Sequence, residues 1–403
     1  MRFLLPFNTR SIPESFYADF HAGLTEAAQE LGHEALRFDI AEGANASDGE
    51  RNALYRLLAA QPCDAVIDLC CWGLGLSAIT VWDGSEGGEP LFDSLDMDYV
   101  GLLCDQPWFQ PLPGVRSSRL HVAVPDRHHP TQIALAYPDL ALRGTAFTPP
   151  AARAVNDQSR PWRERDIEVL YVGHLQQDAL AMAKERRWPA GVSALCEATI
   201  EEALARPTAP LHEDMQRAAR ALGQTPTPDQ ALDVLRNVEP HLRARFRRDA
   251  VHAAARSRAT VHVVGLGWDQ ESLPPNVIHY APVTYPEFHR MAGRARIGLD
   301  VSAYPGGAND RVFNYSLNRA VCLTNALEYP RTSFEASGAI QSHDLGDPAR
   351  LAAQIDALLA EPDRLRDSGE AGHGITLATQ NWRLRLESII AMLDRAEAAP
   401  AGR

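Results

Sequence analysis

The strongest chemical signal in the chain is the stretch YPGGANDRVFNYSLNRAVCLTN, Tyr304 to Asn325. Gly306 and Gly307 form a turn that lets a phosphate approach the backbone, and the helix predicted from about Asp310 offers free N–H groups to an anion. Arg311 adds a charged donor of forked geometry. Asn314, about one turn further on and on the same side as Asp310, is placed to bond a ribose hydroxyl. Asn309 or Asp310 also suits the N-cap, with Val312, Phe313 and Leu317 as core. Cap and phosphate site are compatible.

Other polar clusters stand where strands are predicted to end. CDQPWF, residues 104 to 109, follows DYVGLLC and carries Asp105; its Trp108 suits stacking on a sugar or plain core. DRHHP, residues 126 to 130, follows RLHVAV. Asp126 and His128 are candidate general bases there, because histidine titrates near neutrality and a carboxylate orients it. The adjacent pair His128 and His129 lacks the spacing of a helical zinc site. Asp96 and Asp98 form a DxD in SLDMDYV, but two carboxylates alone do not complete a site for a hard cation, and no metal is expected. VHVVGLGWDQ places Gly265 and Gly267 just after a strand without the third glycine and immediate helix of a dinucleotide fingerprint. That pair fits a tight turn near a ligand.

These clusters need a scaffold, and its type is legible. Apolar runs (MRFLLPF, EALRFDI, CDAVIDLCCW, DYVGLLCDQ, RLHVAVPD) alternate with helical periodicity, which predicts βα units on a parallel sheet. After the polar connection FTPPAARAVNDQSRPWRERD a second set begins at IEVLYVGH and resumes at TVHVVGLGW, NVIHYAP, IGLDVS and AVCLTN. The expected fold class is α/β with domains at 1–160 and 161–380, a helical insertion at about 179–257, and a C-terminal segment at 381–403. The basic run HLRARFRRDAVHAAARSR within the insertion reads as a solvated helix face. Two such halves leave a cleft lined by the carboxyl ends of strands.

Composition narrows the classes. A chain of 403 residues with 45% hydrophobic and 23% charged residues is an ordinary globular protein of about two domains. A net charge of −13 points away from general nucleic-acid binding. Six cysteines without a repeated spacing suit a reducing cytoplasm, and no run reaches the length of a membrane span.

The segments VHVVGLGW, NVIHYAPVTYPEFHRMAGRARIGLDVS, NDRVFNYSLNRAVCLTN and DLGDPARLAAQIDALLAEPDRLRDSGEAGH, with VLYVGH further upstream, resemble a GT-B glycosyltransferase. More closely, they are similar to the CgeB-like (spore-maturation-protein) branch of the family 1-type transferases. The resemblance covers roughly 260 to 395 and implies two Rossmann-like domains facing a central cleft, with a nucleotide-diphosphate sugar held mainly by the second. It implies donor contacts from Gly173, His174, Gly265, and the YAPVTY backbone (Tyr280, Ala281, Pro282, Val283), beside Gly306, Gly307, Asn309, Asp310, Arg311 and Asn314. Retaining relatives carry two glutamates separated by seven residues; this chain has Gly306 and Asn314 there. Asp105, Asp126 and His128, in that order, are the candidates for a base if the reaction inverts. The acceptor falls to the first domain, where Asn8, Thr9, Arg10 and Trp108 are candidates, and the C-terminal helix from Trp382 is expected to pack back on that domain. The co-substrate is the nucleotide sugar, with no further cofactor. The alternative is a non-catalytic sugar-nucleotide or glycan binding protein on the same scaffold.

Overall fold

The computed structural model describes residues 1–8, 15–40, 47–71, 73–81, 88–185, 187–325 and 328–398. Two compact units emerge: Met1–Ala151 together with Asn381–Arg403, and Ala152–Gln380.

The first unit is built on strands β1 (Arg2–Asn8), β2 (Glu34–Ile40), β3 (Ala65–Leu69), β6 (Asp98–Leu102), β7 (Leu120–Val124) and β8 (Gly144–Phe147). A separate antiparallel pair comprises β4 (Thr80–Val81) and β5 (Glu89–Pro90). The main sheet is parallel in the order β2-β1-β3-β6-β7-β8. Strands β3, β6 and β7 are buried along their whole length, as expected when both faces of a parallel sheet are covered. One face is closed by helix Phe16–Glu30 and by the C-terminal helix Trp382–Ala398, whose Trp382, Leu386, Ile389, Met392 and Leu393 belong to the same core as Phe20 and Leu24. Helix Trp382–Ala398 thus completes the unit that contains β1.

The second unit repeats the plan with β9 (Ile167–Val172), β10 (Val261–Val264), β11 (Val277–Tyr280), β12 (Ala295–Leu299), β13 (Val321–Asn325) and β14 (Ile340–His343). Its parallel order is β11-β10-β9-β12-β13-β14. The chain runs outward from β9 to β11, then returns to the other side of β9 with β12. In such sheets the point where the order reverses opens a crevice at the carboxyl ends of the two strands. Here that point lies between β9 and β12.

Two readings of the sequence need adjustment. Residues 152–160 belong to the second unit, because Arg160 N donates to Gly293 O at 2.9 Å, Gln158 N donates to Asn318 Oδ1 at 2.8 Å, and Asp157 pairs with Arg319 at 2.7 Å. Among the described residues, the segment between β9 and β10 forms four helices, Gln177–Lys184, Ser193–Ala205, Leu211–Ala221 and Pro228–Ala254. In the last of these the basic run is a solvated face only in part, with 40% of the Arg245 and 35% of the Arg248 side chain exposed. The helix buries Val234, Leu235, Val238, Leu242, Ala250 and Val251, and its C-terminal half joins the core under β9 and β10.

Candidate functional site

The reversal point of the second unit gathers charge. Asp300 follows β12 directly and is fully buried. Its carboxylate accepts Asn309 Nδ2 on both oxygens at 3.0 Å, Arg311 Nε on Oδ1 at 3.1 Å, and Thr324 Oγ1 on Oδ2 at 3.1 Å. Its backbone N–H donates to Leu323 O, and its carbonyl lies 3.0 Å from His343 Nε2. Asp300 therefore fixes the start of helix Asp310–Leu317 from beneath.

That helix is capped by Asn309, whose side chain accepts Arg311 N at 3.0 Å. It packs flat on β12 because Gly298 has no side chain: a Cβ there would lie 2.2 Å from the ring of Tyr315. Arg311 commits Nε to Asp300, while no described hydrogen bond uses its terminal nitrogens, and 20% of its side chain stays exposed. Burial works against its charge, but Asp300 and Asp310 outweigh that and raise its pKa. Burial raises the Asp310 carboxyl, with Asp300 adding to the rise and Arg311 opposing it.

A second arginine reaches the same place. Arg247, on helix Pro228–Ala254, donates from Nη1 to His174 O at 3.0 Å, just past the end of β9. Among the described residues it has no carboxylate within ion-pair distance, and its Nε is buried without a partner. Burial lowers its pKa, and the positive charges of Arg243 and Arg311 lower it further. Partial desolvation, then Arg247 and Arg311, likewise lower His174, which accepts Leu266 N on Nδ1 at 3.0 Å. Arg247, Arg311 and His174 thus share one positive field at the ends of β9 and β12.

Gly265 and Gly267 owe their identity to a backbone crossing. Gly265 has φ 147°, and a Cβ would stand 2.4 Å from Gly173 O; at Gly267, φ is 83° and the clash is with Leu175 O at 2.0 Å. Trp268 Nε1 donates to Gly173 O at 2.8 Å and locks the crossing. Gly173 and Gly265 are therefore packed on each other. Tyr280 turns its hydroxyl to His262 Nδ1 at 3.0 Å, while Ala281 and Pro282 are exposed and Val283 is half-buried after β11. Gly306 and Gly307 are buried in the turn before the capped helix.

Asn314 departs from its expected place. It is 1% exposed, so it is not presented to a ribose in this structure. Its Nδ2 lies 2.6 Å from Tyr285 Oη, which in turn donates to Asp310 Oδ2 at 3.4 Å. Its Oδ1 is buried without a partner. Beside it Asn318 Nδ2 bonds Asn314 O at 2.9 Å and His289 Nδ1 at 3.2 Å. His289, 1% exposed, is pushed down to about 4 by burial, with Arg153 adding to the effect.

In the first unit, the loops after β6 and β7 meet where Gln106 Oε1 lies 3.1 Å from His129 Nε2. That contact brings the loop of Asp105 to the loop of Asp126 and His128. Asp105 is half-buried and accepts Gln106 N at 2.8 Å. Asp126 is 1% exposed and accepts His128 N at 2.7 Å, so it holds the turn rather than facing solvent. His128 is half-buried at the start of helix His129–Ala136. Trp108 is 1% exposed and edge-on to Phe109, which leaves no ring face for a sugar to cover. Asn8 ends β1; Thr9 and Arg10 lie outside the described residues.

The order of this sheet reverses between β1 and β3. Cys70 and Cys71, just past β3, hold φ of 57° and 55°, a left-handed conformation that costs non-glycine residues energy. Buried Asp68 holds the turn that follows by accepting Gly73 N at 2.8 Å and the Tyr99 hydroxyl. Asp98, the second carboxylate of the DxD, is tied to Arg119, His121 and Arg143 at 3.2 Å each. Burial would raise it, but His121 and Arg119 bring it below its ordinary value. Among the described residues no three His, Cys, Asp or Glu side chains are grouped to hold a metal.

Two parallel six-stranded sheets of these orders, with charge gathered where the second reverses, define a GT-B α/β fold. The solved structures agree. A sucrose-phosphate synthase from Thermosynechococcus elongatus aligns over 99% of this chain and 100% of its own, at 12% identity and a TM-score of 0.56. Anabaena Alr3699/HepE, in complex with UDP and glucose, aligns over 98% and 100% at 10% identity and 0.55. The alpha-glucosyltransferase AGT, in complex with UDP, aligns over 98% and 100% at 10% identity and 0.53. More specifically, the family described as Glycosyl transferase-like matches residues 243–391, which contain Arg247, Asp300 and the capped helix. No curated protein matches the sequence at significance.

Proposed function

We propose that the protein is a glycosyltransferase that moves a sugar from a nucleotide-diphosphate sugar to an acceptor, with the diphosphate held between Arg247 and Arg311. The observation that carries this reading is Arg247 itself. It is an arginine with no carboxylate partner among the described residues, held against the field of Arg311 at the carboxyl ends of β9 and β12. Like charges gathered in a partly buried site are costly unless an anion bridges them, and two guanidinium forks match phosphate oxygens. The matched family and the UDP seen in HepE and AGT support a UDP-sugar as the donor to try first.

The leaving diphosphate gains charge as the anomeric bond breaks. Arg247, Arg311 and the start of the capped helix are preorganised to stabilise that charge. On this reading no metal is called for. Asp300 acts by holding Arg311 and Asn309 in place and needs no contact with the donor. If the reaction inverts, Asp105 and His128 are better placed than buried Asp126 to take the acceptor's proton. An acceptor that is a protein, a glycan or a small molecule fits the acidic chain better than DNA does. We further propose that residues 260–395 belong to the CgeB-like branch and, from six free cysteines, that the protein works in the cytoplasm.

A screen of nucleotide sugars for donor hydrolysis or transfer tests the proposal. Turnover of at least one UDP-sugar is expected. Stabilisation by UDP-sugars without turnover of any donor would replace the transferase with a binding protein, a reading that Asn314 in place of a glutamate favours.

A further inference from the structure

A groove of about 630 Å3 opens in the helical part of the second unit, within the size range of small-molecule sites. Helix Ser193–Ala205 lines it with Glu197 and Glu201, one turn apart, and helix Pro228–Ala254 lines it with His241, Arg245 and Arg248. Trp188 closes one side with its ring edge-on to His241 at 6.3 Å.

The polar groups here are poorly matched to one another. Arg245 and Arg248 share a single carboxylate, Asp249, at 3.6 and 3.5 Å. Glu201 has no ion-pair partner among the described residues. Trp188 is 8% exposed, yet its indole N–H is buried without a hydrogen-bond partner. Burial and the charges of Arg245 and Arg248 together lower His241, which places both arginines' fields inside the groove. Buried donors left unpaired are rare in native structures and call for a missing partner.

We propose that this groove is a second ligand site, for a small molecule with an anionic group for Arg245, Arg248 and the Trp188 N–H, and amino or hydroxyl donors for Glu201. Neither a simple anion nor a neutral polyol meets both walls. The groove borders the nucleotide site without sharing its charges. Arg247 turns from the same helix to His174, and Gln177, at the groove's edge, donates to Gly267 O at 2.9 Å.

Glucosamine 6-phosphate carries both kinds of group and serves as the probe, titrated by calorimetry into the full chain beside glucosamine and inorganic phosphate. One saturable site is expected for the probe, with each half-ligand at least about tenfold weaker. Arg248→Ala and Glu201→Gln should each weaken the probe by about tenfold, with Arg248→Lys recovering part of the loss. Arg311→Ala, directed at the nucleotide, should leave probe binding unchanged, so failure here and failure of the donor reading are separable. No saturable binding, equal binding by every variant, or phosphate binding as tightly as the probe overturns the proposal.

Discussion

Arg311 Nε donates to Asp300 Oδ1 at 3.1 Å, and Asn309 Nδ2 holds both oxygens of the same fully buried carboxylate at 3.0 Å. One acid at the end of β12 thereby orients the cation and the cap at the start of the next helix.

Asp300→Asn should be costly on both counts. Removing one partner of a buried pair leaves a charge uncompensated, at about 3 kcal/mol or more. The midpoint of urea unfolding should fall accordingly, and UDP affinity measured by calorimetry should fall with it. A variant of native stability and affinity would show that Arg311 needs no anchor.

Arg247→Ala and Arg311→Ala should each weaken UDP by roughly tenfold or more, as expected for charge-assisted bonds to phosphate. Uridine, which lacks the diphosphate, should be insensitive to both. Added salt should narrow the gap between wild type and variants, because screening weakens the ionic part.

Gly265→Ala should destabilise whether or not a ligand is bound. Its φ of 147° and the 2.4 Å approach of Gly173 O leave no room for a methyl group. Strain and overpacking together predict a loss of about 3 kcal/mol, read as a lower thermal midpoint. A neutral outcome would mean that the two loops do not cross as described.

His289 predicts a pH effect of defined sign. Its folded pKa of about 4 lies below the ordinary 6.5, so between those values the unfolded chain binds the extra proton. The stability tied to its neutral form is complete above the unfolded value and declines as pH falls toward 4, by up to about 3 kcal/mol. His289→Gln should flatten the acid limb of a stability-versus-pH curve by that amount. An unchanged limb would remove His289 from the account.

How far the sequence reveals this architecture depends on the range of the interaction. The two sets of strands are legible because fully buried strands such as AVIDL and VCLTN are mostly apolar, with Asp68, Thr324 and Asn325 as their buried polar members. The Asn309 cap and the helix from Asp310 are equally local. Arg247 is not, since four arginines crowd residues 243 to 248 and only tertiary packing selects the one turned to His174. Asp300 had a readable sign, a lone acid ending the apolar run of β12, but its partners lie 9, 11 and 24 residues away. Asn314 shows the opposite failure: helical phase puts it near Asp310, while Tyr285, from another helix, comes between the two.

The most direct test is a crystal structure with UDP bound. Diphosphate oxygens should lie about 2.7–2.9 Å from the terminal nitrogens of Arg247 and Arg311, with Asp300 still holding Arg311 Nε. UDP bound elsewhere on the second unit, with both guanidinium groups unengaged, would contradict it.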